Sequence, residues 1–156
     1  MADKQVLTKW SGVYVRCPGR PRTKGSLKPT HARLGGGKCR VGLREDGEYS
    51  VPWKNKMIKA IREQCEGGAW PGPVRVFAEF IFEREGYALD EVGWPVAHEY
   101  GDVDKLMRNL LDALTQSGLI KDDALVIKGD GVKRFAGEGE EAGVMFSVTA
   151  VESLGA

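Results

Sequence analysis

The chain has 156 residues, of which 42% are hydrophobic; the length predicts one domain, and the composition excludes a chain that is disordered throughout. Its 23 Lys and Arg nearly balance its 22 Asp and Glu, yet residues 1–66 carry a net charge of +9 and residues 67–156 a net charge of −8. No apolar run approaches the ~18–20 residues of a membrane span and the N-terminus resembles no secretion signal, so we expect a cytoplasmic protein.

The chain begins with a predicted strand and a basic loop. Residues 10–17 place Val13 and Val15 on one face, a pattern typical of a half-buried strand. The segment at about 18–40 is rich in Gly, Pro and cations, which predicts a long exposed loop. From Lys9 to Arg44 there are ten basic residues and no acidic one, so this part is a candidate for binding a polyanion.

The cysteines argue against a disulfide framework. Cys17, Cys39 and Cys65 are odd in number and form no C-x-x-C pair, so we expect reduced thiols. Cys17 and Cys39 with His31 between them have the ligand types of a metal site, but their spacing fits none of the usual zinc patterns.

A first helix is predicted from Ser50, where Pro52 suits the first turn, to Gly67-Gly68. Its apolar arc contains Trp53, Met57, Ile58, Ala60, Ile61 and Cys65. The opposite arc contains Lys56, Lys59 and Arg62. The helix therefore buries one side and presents cations on the other.

Three further strands are predicted at residues 74–83, 124–128 and 144–150, with a hairpin turn and a solvated acidic tip at residues 137–141. We give that turn no role in an active site. Together with two main helices, these strands predict an α+β fold: residues 1–156 form a single two-layer domain, a mixed sheet with both helices packed on one face.

The second helix, from about Asp102 to Gly118, carries the most informative residues. Its apolar arc contains Leu106, Met107, Leu110, Leu111, Ala113 and Leu114. Its polar arc contains Asp104, Lys105, Arg108, Asn109, Asp112 and Thr115. The acidic residues have a purely structural interpretation, in which Asp at the helix start stabilises the terminus and Arg108 pairs with its neighbours four residues away.

A second pair of carboxylates, Asp122 and Asp123, precedes the predicted strand at 124–128 and favours a different interpretation. A helix and a turn separate this pair from the first acidic cluster, so the two clusters can converge. Converging carboxylates repel one another unless a hard cation neutralises them, and all-oxygen ligands suit Mg²⁺ or Mn²⁺. The residues alone leave both interpretations open.

Three motifs around the second helix resemble the RusA family of Holliday-junction resolvases. They are Gly101-Asp102-Val103-Asp104-Lys105-Leu106-Met107-Arg108, then Asp112-Ala113-Leu114, then Asp122-Asp123. Those spacings match without a gap. Weaker similarity extends to Lys24-Gly25-Ser26, Trp53 and Lys133, and so to most of the chain.

The resemblance implies a crossover junction endodeoxyribonuclease that binds Mg²⁺, or Mn²⁺ in its place, and acts as a homodimer on four-way DNA junctions in recombination and repair. It implies that Asp102, Asp104 and Asp123 bind the catalytic metal, with Asp112 and Asp122 in supporting positions. The family occurs in bacteria and in phages. From the lack of a long apolar run we expect no membrane association, and we expect no small-molecule organic cofactor.

Three positions depart from the family pattern. Lys105 replaces an Asn, Arg108 replaces a Lys, and Leu125 replaces a Gln. Arg108 keeps a cation that can stabilise charge on phosphate oxygens, but a guanidinium is a rigid fork that does not give up a proton. We count Arg108 with the three carboxylates as catalytic.

Cations from both halves of the chain are predicted to bind DNA. They are Arg20, Arg22, Lys24, Lys28, Lys105 and Lys133. Cations on a Gly/Pro-rich segment neutralise phosphates without reading sequence, and gain affinity from counterion release.

Parts of the sequence also suggest other functions. The sequence Asp102-Val103-Asp104 superficially matches the Asp-x-Asp of haloacid-dehalogenase-type phosphatases, but there the motif should follow a buried strand, and here it follows the polar residues 97–101. The alternative that stays open is a non-catalytic, structure-specific DNA-binding accessory protein whose carboxylates are structural.

Overall fold

The computed structural model describes residues 3–25, 27–34, 36–45, 47–88 and 92–152, and for 27–34 and 38–45 the backbone alone. The regular elements in chain order are β1 (Gln5–Val6), β2 (Val13–Pro18), β3 (Leu27–Leu34), β4 (Lys38–Glu45), α1 (Ser50–Gln64), β5 (Cys65–Glu66), β6 (Val74–Phe82), α2 (Val103–Gln116), β7 (Val126–Phe135) and β8 (Gly143–Ala150). Single 3₁₀ turns at His98–Tyr100 and Asp123–Leu125 precede α2 and β7. No helix in these ranges is long and apolar enough to cross a membrane.

The central sheet has the strand order β2-β8-β6-β7. β8 is antiparallel to both of its neighbours, whereas β6 and β7 are parallel and are joined through α2. The sheet is therefore mixed, as predicted. β1 pairs with β5 in a small parallel sheet, and β3 pairs with β4 as an antiparallel ribbon.

Both helices cover one face of the central sheet. Alternate residues of the strands, such as Val15, Phe80 and Phe146, are buried on that face together with Met57 of α1 and Leu110 of α2. The opposite face includes the half-exposed Tyr14 and Phe77. The prediction of an α+β domain with two helices on one sheet face is confirmed.

The prediction of a loop throughout 18–40 is wrong, because β3 and β4 form a ribbon over residues 27–45. The Gly-, Pro- and cation-rich composition hid this pairing, since two strands that pair only with each other need no continuous apolar face. Residues 19–25 do lie outside any strand or helix.

The predicted hairpin at 137–141 is also wrong. β6 lies between β7 and β8, so the 137–141 turn joins strands that are not neighbours. β7 begins at Val126 and continues to Phe135, well past the predicted end at 128. Its polar and glycine-rich second half remains a strand because an edge strand needs only the backbone pairing that β6 supplies.

The carboxylate face of α2 and the adjoining cleft

The turn before α2 requires a glycine at position 101. Gly101 has φ +86°, in the left-handed region that favours glycine, and a Cβ there would lie 2.4 Å from Thr23 Cγ2. Residues 19–25, here called the basic segment, include Thr23 and therefore lie directly against the start of α2.

Two predicted DNA-binding cations donate hydrogen bonds to the backbone of this turn. Arg20 donates from Nη2 to the carbonyl oxygen of Glu99 at 3.2 Å, and Lys133 donates from Nζ to that of Gly101 at 2.8 Å. Arg20 also bonds to Glu85 at 2.8 Å and to the hydroxyl of Tyr87. Both cations therefore support the backbone that leads into α2.

Asp102 and Asp104 lie at the exposed start of α2, each beside a cation of the same helix. Lys105 Nζ lies 3.5 Å from Asp102 Oδ2, and Arg108 Nη2 lies 3.4 Å from Asp104 Oδ2. The four side chains are between 48% and 66% exposed, so solvent screens these pairs and each contributes only about 0–1 kcal/mol. Asp102 is the N-cap residue, but its side chain makes no capping hydrogen bond.

Asp112 lies eight residues after Asp104, about 12 Å farther along the helix axis. Its Oδ2 forms an ion pair with Lys24 Nζ at 2.7 Å. The backbone N–H of Lys24 donates a hydrogen bond to the carbonyl oxygen of Lys105 at 3.1 Å. The segment around Lys24 thus runs along the polar face of α2, from its first turn towards its third.

The pKa of Asp123 is influenced by Asp112 and Lys24, the ion pair just described. Partial loss of solvent, a hydrogen bond with Asp122 and the negative charges of Asp122 and Asp112 raise the pKa of Asp123, while Lys24 lowers it. Asp122 also accepts a hydrogen bond from the backbone N–H of Ala124 at 2.8 Å, which fixes the turn into β7.

The donor set suits a hard divalent cation, because every predicted ligand is a carboxylate. As the side chains lie, however, the described part of the chain contains no group of three His, Cys, Asp or Glu residues that could hold a metal ion. The charges of Asp112 and Asp122 act on Asp123. The assignment of Asp102, Asp104 and Asp123 as metal ligands stays a prediction.

The remaining predicted cations lie in different settings. Arg22 places its Cζ 4.6 Å from the ring centroid of Tyr49, and burial together with the charge of Arg20 lowers the pKa of the Arg22 guanidinium. Arg108 and Lys105 are exposed on α2. Lys28 lies in β3, and its side chain is outside the described part of the chain.

Asn109 has a role that the sequence analysis missed. It was predicted on the polar arc of α2, yet its side chain is fully buried. Its Nδ2 donates to the carbonyl oxygens of Arg22 at 3.2 Å and of Ser50 at 3.1 Å, so that one amide joins the basic segment, α1 and α2. Its angular position on the helix gave no signal, because the basic segment covers that side of α2.

A polar cleft of about 510 Å³ opens beside Asp102. Its walls come from the basic segment (Arg22), the start of α1 (Tyr49), the turn before α2 (His98 and Glu99) and the first turn of α2 (Lys105). Of these, Tyr49, His98 and Glu99 were not predicted as site residues, because nothing in their local sequence indicates that three separate segments meet there.

No protein-family model matches this chain, and no curated protein is significantly similar to it in sequence.

Proposed function

We propose that the protein is a metal-dependent endodeoxyribonuclease that resolves four-way DNA junctions by paired, symmetric phosphodiester cleavage. Mg²⁺ is the proposed cofactor, and Mn²⁺ a substitute for it. The proposed setting is recombination or repair in the cytoplasm of a bacterium or a phage-infected cell. The proposal draws its chemistry from the resemblance to the RusA family and its support from the site described above.

The observation that carries the proposal is the contact between the basic segment and the carboxylate face of α2. The backbone bond from Lys24 to Lys105 and the Lys24–Asp112 ion pair hold acidic and basic groups side by side. A nuclease needs both kinds of group at one place: carboxylates to bind a cation, and cations to hold the phosphates of a polyanion.

In this proposal Asp102, Asp104 and Asp123 would hold the metal ion, which when bound polarises the scissile phosphate and lowers the pKa of an attacking water. Arg108 stabilises negative charge on the phosphate oxygens through its guanidinium fork. Lys105 binds a neighbouring phosphate. The ion pairs of these two cations with Asp102 and Asp104 are exposed and weak. DNA phosphates can therefore replace the carboxylates as partners of the cations at little cost in free energy.

Two matched cuts require two sites, whereas a chain of this size carries one. A two-fold homodimer supplies both sites in a symmetric arrangement that matches the symmetry of a four-way junction.

The non-catalytic alternative has its own support. Asp102 and Asp104 each pair with a cation of their own helix, as carboxylates with a purely structural role would. A protein of this kind would bind junctions through the same cations and never cut them.

A cleavage assay separates the two functions. Wild-type protein is incubated with a synthetic four-way junction and Mg²⁺ or Mn²⁺, beside Asp104→Asn and the control Asp130→Asn. Asp130 is an equally exposed carboxylate that pairs with Lys128 at 3.7 Å, on β7. We expect paired nicks from wild type and from the control, and binding without cleavage from Asp104→Asn. Wild-type binding without cleavage in either metal would establish the non-catalytic function.

A further inference from the structure

The cleft beside Asp102 has the features of a nucleotide site. We propose that it binds one unpaired nucleotide of a DNA strand, with the base stacked on the Tyr49–Arg22 pair. The inference rests on the proposed function, because it places that nucleotide beside the carboxylates predicted to cut. The volume of the cleft, about 510 Å³, lies within the ~300–1,000 Å³ typical of ligand pockets.

Tyr49 supplies the stacking surface. Its side chain lines the cleft and is 59% exposed, so the ring is accessible to a ligand. The guanidinium of Arg22 lies 4.6 Å from the ring centroid. Aromatic rings and guanidinium planes are the two surfaces on which proteins stack unpaired bases, and the pair presents both at one place.

The charges around the cleft match the other parts of a nucleotide. Arg22 and Lys105 are cations on its walls and suit a phosphate. Glu48, Glu99 and His98 also line it and provide acceptors, and from His98 a donor, for the edge of a base. A cleft of purely basic character would suit the DNA backbone alone, whereas the mixture of signs suits a base together with its phosphate.

The walls of the cleft are held in place before any ligand arrives. The buried amide of Asn109 bonds to the carbonyl oxygens of Arg22 and Ser50, two cleft residues on separate segments. Arg20 and Lys133 fix the turn that carries Glu99 and Gly101. A preformed site loses little conformational entropy on binding.

An unpaired nucleotide is favoured over duplex DNA because a base within a duplex is already stacked on both faces. Duplex DNA therefore offers no free base face to Tyr49, whereas a base that is unpaired where a crossover opens, or a base in a single strand, does.

The test uses a short single-stranded oligodeoxynucleotide that contains one 2-aminopurine, whose fluorescence is quenched on stacking. Binding is measured in EDTA, so that the result does not depend on cleavage. The variants are Tyr49→Ala and Tyr49→Phe. The control is Trp10→Ala, because Trp10 is 77% exposed with Lys9 Nζ 4.8 Å from its ring, yet lies outside the cleft.

We expect wild type to quench the probe, and Tyr49→Ala to bind it about ten-fold more weakly with little quenching, which corresponds to about 1.4 kcal/mol. Tyr49→Phe and Trp10→Ala should each stay within about two-fold of wild type. Equal quenching and affinity in Tyr49→Ala and wild type would overturn the cleft proposal.

The two proposals fail in distinguishable ways. If wild type cuts junctions while Tyr49→Ala quenches normally, the nuclease stands and the nucleotide cleft does not. If quenching depends on Tyr49 in a protein that never cuts, the cleft stands and the nuclease does not.

Discussion

The buried amide of Asn109 provides the sharpest test of how the site is assembled. Asn109→Ala removes two hydrogen bonds, to Arg22 and to Ser50, at a fully buried position. A net ~0.5–1.5 kcal/mol for each bond, with the cost of leaving a buried carbonyl without this donor, gives an expected loss of about 1.5–3 kcal/mol in the free energy of unfolding. Because Arg22 is one of the groups released, we also expect faster trypsin cleavage after Arg22 in the native protein.

Urea unfolding measures the first effect and limited proteolysis the second. Gln116→Ala is the matched control, because Gln116 is exposed at the end of the same helix, and it should change stability by less than about 0.5 kcal/mol. Asn109→Asp sharpens the test: the introduced carboxylate faces two carbonyl oxygens at pH 7, and only its protonated form can donate. The deficit of this variant should therefore shrink as the pH falls. A stability of Asn109→Ala within about 0.5 kcal/mol of wild type would show that these two hydrogen bonds do not hold the three segments together.

Two ion pairs and one buried thiol give three further tests. Arg134 and the backbone N–H of Gly137 lower the pKa of Glu140 to about 2. The stabilisation of the fold by this carboxylate is therefore complete above the ordinary pKa near 4.5 and is lost as the pH falls towards 2. The difference in unfolding free energy between wild type and Glu140→Gln should shrink between pH 5 and pH 3, and a constant difference would contradict this prediction. A double-mutant cycle with Lys24→Met and Asp112→Asn should give a coupling energy of about 0.5–1 kcal/mol in stability, since both side chains are partly buried. A coupling energy of zero would show that this ion pair does not hold the basic segment on α2. Burial raises the pKa of Cys17 to about 11, so Cys17→Ser should leave the number of thiols labelled in the native protein unchanged, whereas one fewer labelled thiol would show that Cys17 is accessible.

Periodicity predicted the packed elements well because burial on one face leaves a strong pattern. Alternation located β6 and β8, and the 3.6-residue period located α2, where every residue of the predicted apolar arc is buried or packs against the core. It failed for the ribbon of β3 and β4 and for the end of β7, where the backbone pairing of neighbours, rather than an apolar face, makes the strand.

Candidate site residues could be proposed from the sequence, but their contacts could not. Spacing along α2 correctly placed Asp104 and Asp112 on one polar face, which follows from helix geometry. It gave no means of foreseeing that Lys24 would pair with Asp112, because that contact joins residues 88 apart in sequence. Arg20 illustrates the same difficulty: its guanidinium bonds to Glu85, Tyr87 and Glu99, whereas the sequence showed only a cation in a basic segment.

The proposed nuclease cuts both strands of a junction as a two-fold dimer, with one carboxylate face in each domain. A supercoiled plasmid carrying an extruded cruciform tests it directly, because a single nick relaxes the plasmid and abolishes the cruciform before a second cut. With Mg²⁺ or Mn²⁺ we predict linear plasmid from wild-type protein and intact supercoiled plasmid from Asp104→Asn. Nicked circles alone would contradict paired cutting by a dimer, and intact plasmid with wild-type protein would contradict the nuclease itself.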